Sequence, residues 1–87
     1  MKPVKTHTFN KVRYDIDICG PIDGSCDYRI GNRPSIRITT EPFTKQELIA
    51  ILHECGHAED WSKSEDIIDR IAEEVGTLLW RLGYRRK

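Results

Sequence analysis

Residues 48–58 read LIAILHECGHA and carry the pattern His-Glu-x-x-His at His53, Glu54 and His57. On a helix, two histidines four apart share one face, about one turn from each other. Two neutral imidazoles at that spacing can hold one zinc ion. The glutamate directly after the first histidine is placed to act on a zinc-bound water as general base. At roughly 100° per residue, with Leu48 at zero, Ile49, Ile51, Leu52 and Cys55 fall on one apolar stripe. His53 and His57 fall side by side at its border, near about 140° and 180°, and Glu54 turns away near about 240°. Two adjacent ligands beside a displaced carboxylate suit a metal that keeps a position for water.

The flanks define two helices. Thr44-Lys45-Gln46-Glu47 fits a capping box, so the spacing predicts a helix opening at Thr44 and running to about Ala58. Residues 59–63 read as a connector holding Trp61, and Ser62 or Ser64 opens a second helix running to about Leu82. Ile67, Ile68, Ile71, Ala72, Val75, Leu78, Leu79 and Leu82 recur at helical spacing, which predicts a core face. Gly83 stops this helix, and Arg81, Arg85, Arg86 and Lys87 match its negative end.

Upstream the pattern changes to strands. Val12, Tyr14, Ile16 and Ile18 alternate with Arg13, Asp15 and Asp17, the signature of a half-buried strand over 10–19. Gly20-Pro21-Ile22-Asp23-Gly24 is turn chemistry. A short strand over 26–30, a turn over 31–34 and a strand over 35–39 with Ile36 and Ile38 inward follow. Residues 1–8 read as a loose polar lead-in. The expectation is one α+β domain over 1–87: a small sheet of about three strands, antiparallel or mixed, then a two-helix hairpin carrying the motif.

Composition narrows the function. The 87 residues allow only a modest core, to which a metal would add folding free energy. Lys plus Arg and Asp plus Glu are 14 each, so charge gives no reason to expect nucleic acid or an anionic membrane. The basic C-terminus reads as a dipole-matched helix end before a phosphate contact. No apolar run approaches the ~20 residues of a membrane span and no signal peptide opens the chain. A soluble, cytoplasmic protein is therefore expected. Three cysteines, Cys19, Cys26 and Cys55, are too sparse for a disulfide framework; Cys55 sits on the core stripe and reads as packing.

A catalytic zinc takes three protein ligands. The second helix offers Glu65, Asp69 and Glu74, and a tight antiparallel hairpin sets Glu65 level with His57 and Asp69 one turn higher. Glu65 is the first choice and Asp69 the second; a looser connector brings in Glu74. Ser62-Lys63-Ser64-Glu65 also fits a capping box, in which Glu65 only caps. Asp66 and Glu73 point away.

The helix bearing His53-Glu54-Cys55-Gly56-His57, preceded by a strand, resembles the zincin metallopeptidases. The run from Ile51 to Arg85, with its closing Leu78-Leu79-Trp80-Arg81-Leu82-Gly83-Tyr84, and the upstream Arg33-Pro34-Ser35-Ile36-Arg37-Ile38 resemble small phage-encoded zincin-like proteins. The resemblance implies zinc held by His53, His57 and a glutamate of the following helix, with Glu54 as general base. The position six after His57 is Lys63, so a third histidine of the metzincin kind is excluded. The chain has no room for the second lobe of larger zincins. Peptide-bond hydrolysis by a zinc-activated water follows as the expected activity, in a phage-infected host's cytoplasm. The substrate would be a peptide or protein lying along strand 35–39. His7 and Tyr84 are the candidate oxyanion helpers. The rival expectation is a small regulatory module, stabilised by zinc or lacking it, that docks on a protein through Trp61 and Trp80.

Overall fold

A computed structural model of the chain describes residues 4–18 and 33–86. Three strands precede two helices: β1 (Thr6–Phe9), β2 (Val12–Ile18), β3 (Ser35–Ile38), α1 (Lys45–Glu59) and α2 (Glu65–Arg81). β1 and β2 form an antiparallel hairpin, with His7 opposite Tyr14 and Phe9 opposite Val12. β2 and β3 run parallel, with Ile16 opposite Ile36 and Ile18 opposite Ile38. The result is an α+β domain with a mixed sheet in the order β1-β2-β3, followed by a helical hairpin. The strand expected over 26–30, the turn over 20–24, and Cys19 and Cys26 lie outside the described residues.

The N-terminal lead-in corrects an expectation. Residues 6–9 form an edge strand, and Asn10 and Lys11 turn the chain with φ of 48° and 68°. Two consecutive left-handed residues make the tight hairpin turn whose twist matches paired strands. Asn10 therefore belongs to the turn, and β2 starts at Val12.

One sheet face meets α1. Tyr14, Ile36, Ile38 and Ala58 are the buried cluster, with Phe9, Ile16, Ile18, Ala50 and Ile51 packed around it. The strand alternation read from sequence holds for Tyr14, Ile16 and Ile18, while Val12 at the turn is 36% exposed.

α1 is the middle layer. It packs on β1 and β3 with one side and on α2 with the other, and among the described elements α2 packs against α1 alone. The two helices approach through glycines. A Cβ at Gly76 would lie 2.7 Å from Ile49 Cγ1, and one at Gly56 would lie 3.1 Å from Ile68 Cδ1. Such close contact sets the buried line of α2 as Ile68, Ala72 and Gly76. The broad apolar face expected for α2 is thus divided. Ile67, Ile71, Val75, Leu78 and Leu82 stand 40–63% exposed.

Helix ends follow local chemistry. Thr44 Oγ1 accepts from the Glu47 amide at 3.2 Å, as a capping box requires. The Glu47 carboxylate does not complete that box; it takes the Arg86 fork, at 2.9 Å on both oxygens. Ser64 caps α2, accepting from the Ile67 amide at 3.4 Å. At the far end Gly83 has φ 92°, its amide donates to Trp80 O, and the Tyr84 amide donates to Leu79 O. That is a Schellman closure, in which glycine takes the left-handed position at little cost. The chain then folds back. Arg85 lies over the Trp80 ring at 4.0 Å and Arg86 over Phe43 at 4.5 Å, so the basic end is engaged with the hairpin. No helix among the described residues is long and apolar enough to cross a membrane.

Candidate metal centre

The hairpin brings His53, His57 and Glu65 together, with one ligand atom from each lying within 4.8 Å of the others. The helical repeat sets the imidazoles on one face of α1 with ring centroids 4.8 Å apart. Residues 60–64 are short enough to bring the first residue of α2 level with His57. Asp60 stiffens this connector by accepting from both the amide and the hydroxyl of Ser62. The indole N–H of Trp61 donates to the Tyr14 hydroxyl at 2.9 Å, tying it to the sheet.

Glu65 Oε1 lies 2.8 Å from His53 Nε2, and Oε2 lies 2.8 Å from His57 Nε2. The two Nε2 atoms are 3.1 Å apart. On the other side of the ring, His53 Nδ1 lies 2.8 Å from Asp69 Oδ1. Because Ser64 is the cap, Glu65 is the first residue of α2 and not the third, so it is not the reciprocal member of a capping box. Asp69 backs His53 from the far side of the ring. Glu74 is exposed and outside the cluster.

The donor set can be tested for a cation. Each ring nitrogen of His53 lies 2.8 Å from a carboxylate oxygen, and a neutral imidazole has one proton; given to Asp69 through Nδ1, it leaves a lone pair on Nε2. That lone pair faces a carboxylate oxygen at 2.8 Å. One proton on His57 Nε2 serves His57's own contacts and leaves this one without a hydrogen. A positive charge between the three groups resolves the conflict, either as an added proton or as a metal ion. Tetrahedral zinc with bonds of about 2.0–2.1 Å needs about 3.4 Å between ligand atoms. The imidazole nitrogens are 3.1 Å apart and each lies 2.8 Å from a different Glu65 oxygen, so closing on an ion asks shifts of about half an ångström from an exposed Glu65 side chain and two half-buried rings. The residues therefore fit a divalent ion. Hydrogen bonding from His57 holds the Glu65 carboxyl below its ordinary range, which keeps it ionised.

Glu54 is half-buried and borders two concavities. One, of about 370 Å³, also contains His53, Lys45, Gln46 and Glu73. The other, of about 240 Å³, contains His57, Tyr14, Pro34, Ser35, Ile36 and Trp61. Glu54, the general base expected from sequence, thus borders one concavity with His53 and another with His57 and the start of β3. The Asp15 amide bonds to Pro34 O, and the parallel ladder then turns the backbone groups of Ser35 and Arg37 away from β2.

Other expectations shift. Tyr84 lies with Phe43 and Glu47 at the opposite end of the hairpin, and His7 stacks on Phe9; neither lines the concavities at Glu54. Tyr14 does, and sequence reasoning took it only as a core residue. Glu73, expected to point away, lines the larger concavity. Burial, reinforced by neighbouring Glu54, pushes the Cys55 thiol up, so it is a protonated packing group. Trp61 is 72% exposed, whereas Trp80 is half-buried beneath Arg85.

Comparisons with protein-family models, with curated proteins and with solved structures find no match to this chain.

Proposed function

We propose that the protein is a zinc-dependent metallopeptidase of the zincin kind. The observation that supports this most is the convergence of His53, His57 and Glu65 beside the half-buried Glu54. His53, His57 and Glu65 would hold the ion, and Asp69 would orient His53 through Nδ1. Bound zinc would supply a Lewis acid and lower the pKa of a water from about 15.7 toward about 7. Glu54 would take the proton of the attacking water on its carboxylate and deliver it to the leaving amine. An extended peptide would add to β3, using the outward backbone groups of Ser35 and Arg37, and so cross the concavity that Glu54 borders.

The test is kinetic. Zinc-loaded protein is offered unfolded protein and peptide libraries beside Glu54→Gln, which keeps the ligands and removes the base. The expected result is cleavage by the wild type that falls at least about a hundredfold in the variant while zinc content stays the same. Undiminished cleavage by the variant would remove Glu54 from this role, and no cleavage by either would remove the peptidase reading.

A second reading has its own support. All three candidate ligands lie on the hairpin, so an ion there would staple α1 to α2. A small docking module whose zinc serves only stability would bind zinc, melt higher with it and cleave nothing.

A further inference from the structure

α2 has two faces with different fates. Ile68, Ala72 and Gly76 are buried against α1, and about a quarter-turn away Ile67, Ile71, Val75, Leu78 and Leu82 form an exposed apolar line. Four of these residues lie along the 17-residue helix and Leu82 is its C-cap; they are 40–63% exposed. A continuous apolar strip on so small a domain marks a contact surface. What covers it is indicated by the charges along its outer border.

That border carries Arg70, Glu74 and Arg81, and Asp66 lies farther round the helix on the same side, so that the charges alternate in sign along the chain. All four are exposed, and among the described residues none is in an ion pair. A border of this kind is complementary to itself when reversed. With a two-fold axis across the middle of α2, Arg70 meets Glu74 of the second copy, and Asp66 comes level with Arg81 of the second copy. Both pairings place the axis within two residues of the same point, near the centre of Glu65–Arg81. In that register Ile67 lies opposite Leu78 and Ile71 opposite Val75. Parallel pairing would set like charges side by side, while the antiparallel arrangement also opposes the helix dipoles. We propose that the chain forms a homodimer through this face of α2, antiparallel and isologous. Glu65 and Asp69 lie on the far side of the buried line, so the metal cluster stays open and the dimer is independent of the proposed activity.

The experiment is sedimentation velocity of the full chain, at concentrations from about 1 to about 200 μM. The wild type is expected to be dimeric in this range. Ile71→Glu and Leu78→Glu, both at exposed positions, should each weaken association about a hundredfold or more and leave far-ultraviolet circular dichroism unchanged. Arg70→Glu should weaken it about tenfold, and the exchange Arg70→Glu with Glu74→Arg should restore it. A wild type that is monomeric at the highest concentration would overturn the proposal and assign the strip to another occupant. A dimer indifferent to both glutamate substitutions would overturn it too. Failure of the charge exchange to restore association would overturn the antiparallel register.

Discussion

The two ends of α1 each set a glutamate against nitrogen groups, with opposite outcomes. At the start, Glu47 is 2% exposed and both of its oxygens receive hydrogen bonds from Arg86. At the end, Glu65 approaches His53 and His57 from an exposed position, with its side chain 63% accessible. The Glu47 pair is closed: a permanent cation satisfies a buried anion, and nothing further is required. The Glu65 cluster is open, because its partners are imidazoles and not a permanent cation, and its carboxylate stands in solvent. The contrast separates an ion pair complete within the chain from a group of side chains that could hold a metal ion.

The largest expected effect lies at the open end. His57→Ala removes one of three donors, and zinc affinity should fall at least a hundredfold by titration calorimetry, while folding without metal is nearly unchanged. An equally large loss of metal-free stability would collapse the distinction between the two ends. Asp69→Asn is expected to weaken zinc binding about ten- to hundredfold, since the amide no longer supplies the negative charge that fixes His53 with Nε2 free. Unchanged affinity would reduce Asp69 to a surface neighbour.

At the closed end the readout is stability. Arg86→Ala leaves Glu47 without its cation and should lower unfolding free energy by about 1–2 kcal/mol. The figure is held down because the Arg86 side chain is 41% exposed and water can enter the gap. Urea midpoints measure it, and zinc affinity should not change. A matching loss of zinc affinity would mean that the two ends are coupled along α1.

The open end was largely legible in the sequence and the closed end was not, for one physical reason. His53, Glu54 and His57 lie within one and a half turns, where helix geometry alone fixes their relation. Glu65 follows from a short connector, so level and phase sufficed to favour it over Asp69 and Glu74. Glu47 and Arg86 are 39 residues apart, and their meeting depends on the Schellman turn that sends 84–86 back across the hairpin. The capping box did predict Glu47, but in a role its carboxylate does not play. The edge strand at 6–9 was missed because THTF has weak apolar alternation and Asn-Lys is a weak turn signal beside Asn-Gly. The division of α2 was invisible for another reason. Periodicity reports which residues are apolar on one side, and the glycine-guided approach to α1 decides how many of them are covered.

The smallest expected effect sharpens the comparison through pH. The Arg86 fork, helped by the Phe43 amide and opposed by burial, holds the Glu47 carboxyl below its ordinary value of 4.5. A carboxyl lower in the folded chain than in the unfolded one adds stability that is fully present above the unfolded value. That stability is lost as pH falls through and below about 4.5. Metal-free protein should therefore lose stability on acidification, and Glu47→Gln should lose less over the same range, with urea midpoints from about pH 3 to 6 as the readout. Glu65 is lowered in the same direction by His57, but in so exposed a position that solvent screens the contribution. Glu65→Gln should accordingly leave the acid slope close to that of the wild type. If Glu65→Gln flattened the slope more than Glu47→Gln, the open cluster and not the arginine pair would be holding the hairpin without metal.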